Sequence, residues 1–411
     1  MAILTNPPTL QDARDGKNSI FLPILGELFN NLVEFGANGF IRNPFTPFVT
    51  HALKYGSVVL VSDDLNDGVD ESSEKLSDLF PYKYQTFNRK TDSWETIKMK
   101  INNFIKEICT DRKLKAKDLP KYNVMIDTNI TNIIFTCFFN IQLEWRYTDI
   151  FEKSLKFYSF NDETSVDGFC IPRAFCASRI YIINDEERFL LVRIPVNNIK
   201  TKTKEVEDDE DAAIMYTNYI EPWQSDPNND SFLETIDSGS VYLTIVAKIS
   251  KELPIKKDRF ANLETYDPEK LCEIGEKLIV ESFKKKSHPM LYRTVCVSMP
   301  NIETNVKFSI TKHNYKECGV GIVDEGTFSK EMSYFAKKIP GRNITIDSVT
   351  SDTKIRINQY GIVLTGMMSG YATDYVHEYK PPSLDLNVPM VYSISVGKRV
   401  IGAGIFTNKS D

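Results

Sequence analysis

Apolar positions recur at helical spacing in three parts of the chain. Leu22, Leu25, Leu28, Phe29, Leu32, Val33 and Phe35 share one face of a helix predicted over Leu22–Phe35. Ile97, Ile101, Phe104, Ile105 and Ile108 form such a face over Trp94–Cys109. Leu271, Ile274, Leu278 and Ile279 do so over Asp267–Lys285. Ile133–Phe139 has a different pattern. It is apolar without interruption and rich in β-branched and aromatic residues, which predicts a strand covered on both faces. Arg179–Pro195 alternates and then turns apolar, giving one or two strands. Further strands are predicted at Ser240–Lys251, Tyr292–Met299, Asn305–Thr311, Ile355–Gly361, Pro389–Ile394 and Val400–Phe406. Asn38–Leu53 reads as a short strand running into a helix started by Pro44 or Pro47, where a proline removes no hydrogen bond. Early helices followed by many strands predict an α+β fold, not a regular βαβ one.

The polar stretches read as surface. Asp63–Lys75 is acidic and predicts a loop. Residues 201–212 hold the one low-complexity run, Glu205-Val-Glu-Asp-Asp-Glu-Asp211, whose like charges repel and favour solvent. The whole chain has 411 residues, is 42% hydrophobic and 26% charged, and carries a formal charge of −6. It can fill a core, and it lacks the broad basic face of nucleic-acid binders. No run approaches the roughly 20 apolar residues of a membrane helix. Met1–Gln11 has no basic start and no apolar core, and it carries Pro7-Pro8. The expectation is an intracellular protein with neither nucleic acid nor membrane as partner.

Candidate chemistry is sparse. The seven cysteines include no CxxC pair, and an odd count cannot close fully within one chain. Cys170 and Cys176 are candidates for intermolecular disulfides; the alternative is reduced, buried thiols. The four histidines, His51, His288, His313 and His377, have no metal-helix spacing. There is no nucleophile elbow and no phosphate loop. No enzyme activity, metal or cofactor is expected.

A resemblance to the serpin family runs through most of the chain in a shared order. Asn38–Leu53 resembles the family's early strand-turn-helix block, with Asn43-Pro44 where Ser-Pro is usual. Ile101–Lys115 is similar to its helix F, with Phe104 at a common Trp position. Ile126–Trp145 resembles its long central strand, and Trp145 falls on the tryptophan of the breach, near the top of the main sheet. Val297–Thr304 and Gly319–Phe328 resemble two later motifs. Ile355–Gly361, Pro381-Pro382 and the closing strands follow the family's order of strand, hinge, exposed loop and two buried strands. The resemblance implies one serpin-like domain over residues 1–411, with large mixed and antiparallel sheets, surrounding helices and a reactive-type loop at 361–388. Residues 61–100 are too few for the family's usual helices and strands there, so that region is expected to be reduced.

In such a fold the residues after Gly361 decide the function. The resemblance implies a hinge of small residues that slides into the sheet after proteolysis. Here the segment is Gly361-Ile-Val-Leu-Thr-Gly-Met-Met-Ser-Gly370. Alternation would turn Ile362, Leu364, Gly366 and Met368 inward. Large side chains forced into a packed gap cost about 1–3 kcal/mol each. Counting back from Pro381 puts a scissile bond within Asp374–Glu378. Asp374 would suit a caspase-like protease and Tyr375 a chymotrypsin-like one. The bulky hinge and the reduced region favour a non-inhibitory protein with a structural or self-assembling role. Its concrete form would be a virus-encoded matrix or occlusion-body protein that forms a homo-oligomer or lattice. The alternative is an intracellular inhibitor of a host serine or cysteine protease acting by loop insertion.

Overall fold

The computed structural model describes residues 4–48, 53–66, 76–109, 119–122, 131–147, 149–159, 163–183, 187–196, 239–250, 261–284, 290–311, 313, 328–335, 344–364 and 383–408. Two helices open the chain, α1 (Pro7–Arg14) and α2 (Pro23–Asn38). Asn6 caps α1 by accepting a hydrogen bond from the Thr9 N–H at 3.0 Å. Gly39, at φ +71°, ends α2 in the left-handed region. The predicted apolar stripe of α2 is the face it buries, with Leu28 and Leu32 inaccessible to solvent.

Six strands form one sheet. They are β1 (Leu53–Ser62), β2 (Tyr82–Phe87), β3 (Ile133–Leu143), β9 (Ile302–Thr311), β10 (Ser348–Asn358) and β11 (Gly361–Leu364). Their order is β2-β1-β3-β11-β10-β9, with β1 and β2 parallel and the other pairs antiparallel. The alternation of β1 serves two cores. Val58 and Leu60 pack with Ile97, Ile101 and Phe104 of α3 (Trp94–Cys109), while Val59 and Val61 join the main core on the other face.

Eight strands form the second sheet. They are β4 (Phe151–Tyr158), β5 (Glu163–Ile183), β6 (Glu187–Pro195), β7 (Val241–Ile249), β8 (Leu291–Pro300), β12 (Ser383–Asp385), β13 (Met390–Val396) and β14 (Arg399–Phe406). The path is β12-β8-β5-β6-β7-β13-β14, with β4 on β5. The 21-residue β5 changes register against β8 between Ile171 and Ala174, so Pro172 and Arg173 together face Cys296. A bulge suits a proline, which has no N–H for the ladder. Helix α4 (Pro268–Ser282) crosses β7 and β13, with Gly275 under Val391. A Cβ on Gly275 would lie 2.2 Å from Val391 Cγ2, so the glycine permits that close crossing.

Two predicted stretches differ. The exposed loop expected at 361–388 begins with β11 and contains β12. Residues 39–48 hold neither the expected strand nor a helix, and 49–52 lie outside the described residues. The Phe45 N–H donates to Asn31 Oδ1 at 2.8 Å, while the Phe45 ring packs on Phe48, Tyr55 and Phe80. These tertiary contacts hold Phe45 where the prolines alone suggested a helical turn. The span expected to be reduced carries the end of β1, β2 and the start of α3. The acidic run at 201–212 lies outside the described residues.

Candidate functional site

The hinge lies where β10 turns into β11. Asn358 Oδ1 accepts from the Tyr360 N–H at 3.0 Å, closing the turn locally. Gly361 then takes φ +139°, a region that L side chains rarely adopt. A Cβ at this position would lie 2.0 Å from the Leu143 carbonyl oxygen. Both backbone conformation and space therefore require glycine here.

After the turn the chain enters the sheet. Ile362 pairs with Ile357 on β10 and with Leu143 on β3; Val363 pairs with Arg356 and Gln142. Leu364 pairs with Ile141. Ile362 is inaccessible to solvent and belongs to the main core with Ile141, Ile355 and Ile357. Ile362 is thus a filled position of the sheet, where its bulk suggested an obstacle to entering it. Because β11 lies between them, β3 and β10 share no ladder among the described residues.

Trp145, just after β3, holds the same turn from the side. Its Nε1–H donates to the Asn358 carbonyl at 2.7 Å, and its ring meets Phe169 of β5 at 5.8 Å between centroids. Trp145 is 7% exposed, so this hydrogen bond is shielded from water. Its ring joins the β10–β11 turn to the second sheet. Gln359 adds a surface contact to Glu152 on β4. Trp145, Gly361, Ile362 and the backbone of Leu364 are therefore brought together. Gly366, Met368, Asp374, Tyr375 and Glu378 lie outside the described residues.

The two cysteines singled out from the sequence sit elsewhere, both on β5. Cys176 is fully buried. Cys170 is 2% exposed and pairs with Ser298 of β8; the sulfur of Cys296, two residues along that strand, lies 3.2 Å from its own. Neither thiol is presented for bonding to a second copy in this conformation. Sequence reasoning missed Asn358, whose role lies in its backbone carbonyl, and Cys296, which is 126 residues from Cys170 and reaches it only through strand pairing. No helix among the described residues is long and apolar enough to cross a membrane.

No protein-family model matches the sequence, and no curated protein matches it. Solved structures do. Serpin48, a highly specific serpin of the insect Tenebrio molitor, is 11% identical with a TM-score of 0.57, over 98% of this chain and 96% of its own. Thyroxine-binding globulin in complex with thyroxine is 11% identical with a TM-score of 0.56, over 96% and 94%. Uncleaved ovalbumin is 12% identical with a TM-score of 0.56, over 97% and 95%. Likeness over nearly the full length of each chain shows that this divergent sequence has the serpin fold.

Proposed function

We propose that this serpin-fold chain is non-inhibitory and serves a structural or self-assembling role. One observation carries the reading: Gly361–Leu364 is a strand paired on both edges, with Ile362 in the core. A segment already seated has less burial to gain from cleavage than a free hinge does, so less stored strain is available to displace a bound protease. The fold by itself does not dictate inhibition, since sites and not folds carry function. Its structural neighbours include thyroxine-binding globulin in complex with thyroxine.

The partner in this reading is a second copy of the chain. Among the described residues strands β2 and β9 end the six-stranded sheet, and an edge strand offers its backbone groups to another chain. A viral matrix or occlusion-body protein would be one concrete form of such an assembly.

The test is incubation with chymotrypsin-like and caspase-like proteases. The reading predicts cleavage within 365–382 without a detergent-stable complex, and no rise in Tm after the cut. A covalent complex would establish the inhibitor reading, and a large rise in Tm would show that the cleaved segment inserts. That second reading has its own support in Gly361 and in the place of β11 between β3 and β10, which is a path along which a longer insertion could continue.

A further inference from the structure

Four strands of the second sheet bring five reactive or polar side chains together. Cys170 comes from β5, Cys296 and Ser298 from β8, Lys153 from β4 and Asp385 from β12. The Lys153 ammonium donates to Ser298 Oγ at 2.8 Å and to Asp385 Oδ1 at 3.0 Å. The Cys170 and Cys296 sulfurs are 3.2 Å apart, within hydrogen-bonding reach for a thiol and a thiolate. Cys296 is half-buried, so the pair reaches the surface through its side. In register Cys170 stands opposite Ser298, and Cys296 is its diagonal neighbour two residues along β8, beside the bulge at Pro172 and Arg173.

We propose that Cys170 and Cys296 form a redox-active dithiol that hydrogen peroxide converts into an intrachain disulfide across β5 and β8. A disulfide bond is about 2.05 Å long, so closure requires the sulfurs to approach by roughly 1 Å. The environment also separates the two protons. The Cys296 thiol and Ser298 hydrogen-bond to the Cys170 sulfur and the Lys153 charge lies nearby, which together lower its pKa to about 7 against the cost of burial and the nearby Asp385 charge. Cys296 is pushed up, first by that same hydrogen bond to Cys170. One partner is thus a thiolate near neutrality and the other remains a thiol. Two other described cysteines are shifted the opposite way. Burial raises Cys109 to about 11, and burial beside Glu276 and Glu269 raises Cys272.

The chemistry balances without a cofactor. The Cys170 thiolate attacks one peroxide oxygen, the O–O bond breaks, and hydroxide leaves to be protonated as water. Cys170 is then a sulfenic acid. The Cys296 sulfur attacks the Cys170 sulfur, its proton leaves with the sulfenic oxygen as a second water, and the S–S bond forms. Two thiols are oxidised and one peroxide is reduced to two waters.

The test treats the full folded chain with hydrogen peroxide, quenches with an alkylating reagent and maps the peptides by mass spectrometry. The expected product is a Cys170–Cys296 linked peptide, reversed by dithiothreitol and absent from Cys170→Ser and Cys296→Ser. Lys153→Gln should slow its formation about two-fold at neutral pH and have little effect above pH ~9, where the thiolate forms without help. Alkylation of both cysteines after complete peroxide treatment would overturn the proposal. So would Cys170 stopping at sulfinic acid, or linkage to a different cysteine. An unchanged rate for Lys153→Gln at neutral pH would overturn the role given to the lysine charge.

Discussion

Strands β13 and β11 are each laid between two neighbours, yet they are held by different means. All seven residues of β13 are buried, and it pairs with β7 and β14 along nearly its whole length. β11 has four residues and pairs at three positions on each side. β13 is fixed by continuous burial. Among the described side chains, β11 is held by the buried Ile362, by Gly361 fitted against Leu143, and by the Trp145 hydrogen bond at its turn. Burial along a whole strand ties its loss to global unfolding, whereas a short strand can open locally. The molecule therefore combines a fixed sheet with one element whose seating depends on a few identifiable contacts.

Truncation of the two buried isoleucines sharpens that contrast. Ile394→Ala should cost about 4 kcal/mol in urea unfolding, near the upper part of the range for buried aliphatic truncations. Ile362→Ala should cost about 2 kcal/mol, because unseating β11 caps the loss. Equal costs would break the distinction, and a cost under about 0.5 kcal/mol for Ile362→Ala would place it with surface residues. Gly361→Ala should also cost about 2 kcal/mol, since it adds a Cβ to a positive-φ position against a backbone carbonyl. Trp145→Phe keeps most of the ring and removes the donor to Asn358, so about 1 kcal/mol is expected, leaving β13 unaffected.

The smallest effect serves as a control remote from both strands. Asp92 accepts from Lys100 Nζ and from the Asn88 N–H, and these contacts hold its carboxyl below the usual range. Its contribution is fully present above the unfolded carboxylate pKa and is lost as pH falls through the lower folded value. Asp92→Asn should therefore cost about 0.5 kcal/mol at neutral pH and nothing in strong acid, measured by urea unfolding at both.

The legible parts of the fold are those in which one face is buried continuously. The stripes of α2, α3 and α4, the apolar run of β3 and the closing strands β13 and β14 all appear in the residue pattern. β5 was legible only from Arg179 onward. Its bulge at Pro172 and Arg173 shifts the buried face mid-strand, so no single alternation runs through it. β1 was missed because its residues are apolar toward two cores, and Gly56 and Ser57 disguise its start. Of the candidate site, Trp145 and Gly361 stood out as residue types in order along the chain. That Ile362 is a core residue could not be read from its size, which is equally compatible with obstruction; only the position of β11 between β3 and β10 distinguishes them. Cys170 was visible, but its partner Cys296 was not, because pairing between distant strands brings them together.

Amide hydrogen exchange at residues 362–364 of the intact, uncleaved chain tests the seating of β11 most directly. A strand bonded on both edges yet able to open locally predicts clear protection, below that of Ile394 on β13. Exchange of residues 362–364 at the rate of an unstructured loop, with β10 still protected, would contradict it.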